Sequence, residues 1–100
     1  SKGRKLITLA TEDIAWVGAD GDYCRLHVDG ESYHSSYGIS VIAEKLDPTV
    51  FMRVHRSSIV NLRRVCEAHR YGKSYDLVMD NGDVVRVSRG YMDRLKDITF

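Results

Sequence analysis

Short apolar runs separated by clusters of Asp, Asn, Gly and Ser dominate the chain, and helical spacing emerges in only two windows. Residues 6–9 read as a short strand, and Thr11-Glu12-Asp13 as a polar turn before the β-forming residues 14–17. Turn chemistry at residues 19–22 leads into a partly alternating segment, residues 23–28. Asp29-Gly30 is then a two-residue hairpin signal into residues 31–37. These three segments predict a meander. From Gly38 the period changes: Ile39, Ile42, Ala43 and Leu46 fall at i, i+3, i+4 and i+7, which predicts a short helix ended by Asp47-Pro48. Residues 51–61 read as strand, turn and strand, Asn61 to Arg64 as a helical turn, and residues 65–71 as a further strand. After a turn at Gly72-Lys73-Ser74, residues Tyr75, Leu77 and Met79 alternate with Asp76, Val78 and Asp80. Asp80-Asn81-Gly82-Asp83 is a second hairpin signal ahead of residues 83–87. Ser88 is placed to cap a terminal helix carrying Met92, Leu95 and Ile98. The expected fold is mainly β and built from short hairpins, with two small helices.

Composition narrows the class. One hundred residues make a single domain, and 43% hydrophobic with 29% charged residues is the balance of a folded chain. Cys24 and Cys66 form no CxxC and no Cys/His cluster, which argues against a zinc site or a disulfide scaffold and for a reducing, cytoplasmic compartment. No metal or cofactor is expected. No apolar run is long enough to cross a bilayer, so no membrane contact is expected either. Ser1 to Arg4 read as linker remnant, with the domain spanning residues 5–100. Cys66 lies between Arg63, Arg64 and Arg70; the preferred reading is a buried apolar side chain, with a redox-sensitive thiol as the alternative.

Net charge is only +1, but the charges are unevenly placed. From Arg53 to Lys73, six bases (Arg53, Arg56, Arg63, Arg64, Arg70, Lys73) face one acid, Glu67. From Arg86 to Lys96, four face Asp93, and the remaining five bases face twelve acids. Such asymmetry can focus positive potential on one side and attract a polyanion. Phe51-Met-Arg53-Val-His55-Arg56-Ser57-Ser58-Ile-Val-Asn61 concentrates it, because apolar positions bracket guanidinium, imidazole and hydroxyl donors with no carboxylate among them. An extended strand would put Arg53 and His55 on one face ahead of a turn at Arg56 to Ser58. Those donors suit phosphate oxygens and the acceptor edge of guanine. Asn61 reads as a turn amide satisfying backbone groups, and Trp16 as core. Nothing resembles a nucleophile elbow, a phosphate-binding glycine loop or a metal motif, so no enzyme is expected.

The order Phe51-x-Arg53-Val-His55-Arg56-Ser57-x-Ile59-Val60-Asn61, then Asn81-Gly82, then Val87-Ser88-Arg89-x-Tyr91, resembles the LytTR family of bacterial DNA-binding domains over nearly the whole chain. The resemblance implies an elongated, roughly ten-stranded β fold that places loops into successive major grooves, as the output end of a response regulator behind a receiver or other sensory domain absent from this chain. The implied partner is double-stranded DNA with repeated half-sites, on which two copies of a mainly monomeric domain meet. It assigns base readout to His55, Arg56, Arg89, Asp22 and Tyr23. Phosphate contact falls to Arg53, Ser57, Lys73 and Arg86. The alternative is an RNA- or protein-binding module using the same basic face.

Overall fold

A computed structural model of the protein describes residues 9–91. After a 3-10 turn at Thr11–Asp13, strands β1 (Trp16–Asp20), β2 (Tyr23–His27) and β3 (Ser32–Ser35) form the expected antiparallel meander. Strand β1 starts two residues later than its apolar run and continues through Asp20, which confines the turn to Gly21 and Asp22. At the other hairpin Gly30 has a φ of 69°, and the Val28 N–H donates to Glu31 O at 2.9 Å. Only glycine takes that left-handed conformation without cost.

Helix α1 (Ile39–Lys45) follows, then β4 (Phe51–His55), β5 (Ser58–Asn61) and a 3-10 turn at Leu62–Arg64. The hairpin of β4 and β5 docks through β5 on β1, giving a five-stranded sheet in the order β3-β2-β1-β5-β4. A second sheet follows from β6 (Val65–Tyr71), β7 (Ser74–Met79) and β8 (Val84–Val87), all antiparallel neighbours. Eight strands and one α-helix are thus present among the described residues, against roughly ten strands and two helices expected. Past Ser88 the chain makes a 3-10 turn, Arg89–Tyr91. The proposed terminal helix beyond it, residues 6–8 of the strand expected at 6–9 and the linker at 1–4 lie outside the described residues, and Leu9 is not in a strand.

The first sheet is covered on both faces. Val17, Cys24, Phe51 and Ile59 pack with Ile42 of the helix and Leu46 at its C-cap, while Ala15, Val54 and Val60 pack with Leu77, Met79, Val85 and Val87 of the second sheet. Successive strand residues point to opposite faces, so Ile59 and Val60 are both buried only because each face has a cover. Asn61 ends β5 inside this core at 1% exposure. Its amide donates to Ile14 O at 3.0 Å and its carbonyl oxygen accepts the Arg63 N–H at 2.9 Å, the backbone role read from the sequence.

Candidate nucleic-acid interface

Antiparallel pairing decides which loops emerge together. Ser58 pairs with Gly18, and Ala19 N–H donates to Ser57 O at 2.8 Å, so the β4–β5 turn leaves the sheet at the same end as the β1–β2 turn. The β3–α1 connection is there too, since a Cβ on Gly38 would lie 3.2 Å from the Asp22 carbonyl oxygen. Ser88 N–H donates to Val54 O at 2.8 Å, which brings the end of β8 and Arg89 beside the end of β4. Tyr75 pairs with Val87, so the β6–β7 turn at Gly72 and Lys73 leaves the second sheet on this side as well. One rim therefore carries Asp22, Tyr23, Arg56, Ser57, Lys73 and Arg89. Residues far apart in the chain meet there through strand pairing and the Ser88–Val54 hydrogen bond between the sheets.

The β4–β5 turn is held from within. The register slips between Arg53 and His55, a bulge that lets the strand bend as it enters the turn. Arg53 Nε donates to His55 O at 2.9 Å, and its Nη2 to Arg56 O. This guanidinium, expected on phosphate, is thus engaged with the turn backbone. His55 Nδ1 accepts the Ser57 N–H at 3.1 Å and lies 2.8 Å from Ser57 Oγ. With Nδ1 accepting, the neutral ring carries its proton on Nε2, leaving one donor to offer a ligand. Arg56 and Arg89 are exposed, and no intramolecular hydrogen bond holds either guanidinium among the described residues.

The remaining assigned residues differ in freedom. Asp22 is exposed at the tip of its turn; Tyr23, 48% exposed, meets His34 edge-on at 5.4 Å between centroids. Lys73 is exposed and without an ion pair among the described residues. Arg86 is exposed, but its Nε donates to Asp76 Oδ1 at 3.0 Å, and that carboxylate pushes the guanidinium pKa further up. Its charge is partly matched on the protein, whereas those of Arg56, Lys73 and Arg89 are not.

The sequence-level basic run divides. Strand β5 carries the chain back across the sheet, so Arg63 and Arg64 lie on the opposite rim. Arg64 Nε donates to both oxygens of Asp80, at 2.9 and 3.0 Å, its Nη1 to Asp13 O at 2.5 Å, and its Nη2 to Asp29. This side chain is 14% exposed and staples three connections. Glu12, Asp13, Asp29, Glu31, Asp47, Asp80 and Asp83 belong to the same end of the strands, making the far rim acidic. Cys66 is exposed on β6 and not buried as expected; Cys24 is the buried thiol, and burial pushes its pKa up.

Sequence reasoning missed the joint between the sheets. Trp16 stacks on His27 with centroids 4.0 Å apart and donates its indole N–H to Asp83 Oδ2 at 2.8 Å. Its ring lies over Gly18, where a Cβ would come within 2.7 Å of Cζ3. Trp16 is therefore a packing residue of the inter-sheet core, as expected, with a polar anchor that no local pattern signals. No group of three or more His, Cys, Asp or Glu among the described residues is arranged to hold a metal.

The fold agrees with the comparisons. The model of the LytTr DNA-binding domain matches residues 4–99. The chain belongs to the LytTR family. Its relatives include the sensory transduction protein LytT of Bacillus subtilis, 32% identical over 98% of this chain and 41% of that protein. The heme-containing CO-sensing transcriptional regulator RcoM 2 of Paraburkholderia xenovorans is 33% identical over 94% of this chain and 36% of its own length. This LytTR chain thus spans less than half the length of the curated relatives it matches. A solved LytTr DNA-binding domain from Bacillus cereus superposes with a TM-score of 0.86 at 23% identity, covering 94% of this chain and 88% of that one. The fold of the LytTR domain is shared at that level. No described helix is long and apolar enough to cross a membrane.

Proposed function

We propose that this LytTR domain is the DNA-binding output domain of a cytoplasmic bacterial transcription regulator, joined in its full-length protein to a receiver or other sensory domain. Its loop rim binds double-stranded DNA by entering successive major grooves. The observation that carries this reading is the convergence on one rim of the β1–β2 turn, the β4–β5 turn, the Arg89 corner and the β6–β7 turn, with three bases there free of internal partners. The molecule measures 49 × 23 × 22 Å, and no strand among the described residues exceeds seven residues, about 23 Å at 3.3 Å per residue. The long dimension is therefore accumulated across strands, and it exceeds one turn of duplex, about 34 Å.

Within this reading Arg56 and Arg89 each offer a planar donor fork to guanine O6 and N7, with the His55 Nε2–H beside them. Asp22 and Tyr23 meet bases at the neighbouring turn. Lys73 contacts phosphate. Ser57 and Arg53 shape the turn and add phosphate contacts from it, and Arg86 adds a weaker phosphate contact because Asp76 shares its charge. Two copies of a domain that is monomeric by itself occupy repeated half-sites. The test is competition between labelled duplex carrying repeated half-sites, its separate strands, and RNA of the same sequence. Preference for duplex DNA supports the reading; equal or better competition by single strands or RNA overturns it.

A further inference from the structure

Strand β6 differs from every other strand described. It is the free edge of the second sheet, paired only with β7, and six of its seven residues are exposed. At its end the hairpin tip presents Arg70, Tyr71 and Lys73 around Gly72, whose φ of 58° closes the turn. Tyr71 is 60% exposed, more than any other large apolar residue described. Opposite it stands only Ser74, a small residue whose hydroxyl donates to the Tyr71 carbonyl at 3.2 Å, so no neighbouring strand covers the ring. Burying an aromatic ring stabilises a folded chain, and a tyrosine held out at a tip forgoes that gain.

The charges around the tip are one-sided. Arg70 uses Nε on Gly72 O at 3.2 Å, while both terminal nitrogens of its guanidinium and the Lys73 amine have no partner among the described residues. The carboxylates of this hairpin are occupied elsewhere: Glu67 lies 3.2 Å from His69, Asp76 holds Arg86, and Asp80 holds Arg64. Val87 pairs with Tyr75, so the tip projects past the point where β8 gives way to Arg89. Within the second sheet β8 meets the first sheet and β6 lies farthest from it, which puts the tip at the outer end of the rim.

We propose that the β6–β7 tip is a further DNA-contacting element, with Arg70 and Lys73 straddling backbone phosphates outside the base-reading loops and Tyr71 donating its hydroxyl to a phosphate or packing on the sugar edge. Tyr, Arg and Lys are all established donors to the phosphodiester backbone, and none of these contacts requires a particular base. The tip lengthens the footprint on one flank and raises affinity without adding sequence preference. This inference rests on the DNA-binding reading above and adds Arg70 and Tyr71 to it.

Two variants test it, Arg70→Gln with Lys73→Gln, and Tyr71→Ser, each confined to exposed positions of the turn. Binding to a selected duplex and to a scrambled one is measured across salt, with hydroxyl-radical footprinting at saturating protein. The double variant is expected to lose about 1.8 from the magnitude of the log-log salt slope, on the order of tenfold in affinity for both duplexes, and protection at one edge of the footprint. Tyr71→Ser is expected to lose the same edge protection with the slope unchanged. If slope and footprint stay as in the parent while Arg89→Ala still impairs binding, the tip makes no contact: this inference is wrong, and with it the phosphate contact assigned to Lys73, while duplex binding by the rest of the rim stands. If the parent binds no duplex at all, both readings fall.

Discussion

His55 illustrates how a side chain serves a surface by first serving its own turn. By accepting the Ser57 N–H on Nδ1 it favours the Nε2 tautomer, so the same contact that closes the turn leaves Nε2–H as the donor of the neutral ring. Elsewhere single atoms decide packing. Gly18→Ala would bring a Cβ to 2.7 Å from the Trp16 ring, and the Asp83 anchor and His27 stack both resist its moving away. Overpacking of this kind costs about 1–3 kcal/mol, read as a lower denaturation midpoint with altered tryptophan fluorescence. An unchanged midpoint would mean that the indole moves freely. His27 also sets a pH dependence: burial lowers its pKa below 6.5, more than Asp83 raises it, and Arg25 lowers it further. A base whose folded pKa is depressed binds fewer protons when folded, so stability is complete above about pH 6.5 and falls as the pH drops through that value towards the folded pKa. Urea denaturation between pH 7.5 and 5 on the parent and His27→Gln checks this, with a shallower fall expected in the variant.

At the scale of elements, the hairpins and the helix were legible because their signals are local: Asp29-Gly30, Asp80-Asn81-Gly82-Asp83, and the spacing of Ile39, Ile42, Ala43 and Leu46. The placement of β5 against β1 was not, since it pairs strands 38 positions apart, Asp20 to Ser58, and depends on covering both faces of one sheet. That placement explains the error over charge. Arg56 and Arg63 are seven residues apart in sequence, but a four-residue strand between them carries the chain from one rim to the other. A run of bases in sequence therefore overstated the patch in space. Edge strand β6 hid the exposure of Cys66 for a similar reason, because a strand exposed on both faces gives no alternation to read. Arg64→Ala separates the two views. It should lower stability by about 1–3 kcal/mol through loss of charged hydrogen bonds to Asp80 and Asp29. The salt slope of DNA binding should not change. A slope reduced by about 0.9 would return Arg64 to the DNA-facing surface.

Over the whole molecule, the two rims divide the work. One gathers acids around the Arg64 staple and closes the ends of both sheets; the other gathers turns on which Arg56, Lys73 and Arg89 have no internal partner among the described residues. On the second rim, base readers and phosphate contacts differ in what their loss should do. Arg89, free at the corner where β8 ends, is assigned to a base, so Arg89→Ala should cost specific binding about 1–3 kcal/mol and relax preference at one base position. Lys73→Ala should weaken specific and random duplexes alike and lower the magnitude of the salt slope by about 0.9. The most direct measurement is the affinity of the parent chain and Arg89→Ala for a duplex selected from a random pool and for its scrambled counterpart, titrated across salt. A loss confined largely to the selected duplex is the predicted result. Equal loss on both duplexes would make Arg89 a phosphate contact and contradict readout of bases from this rim.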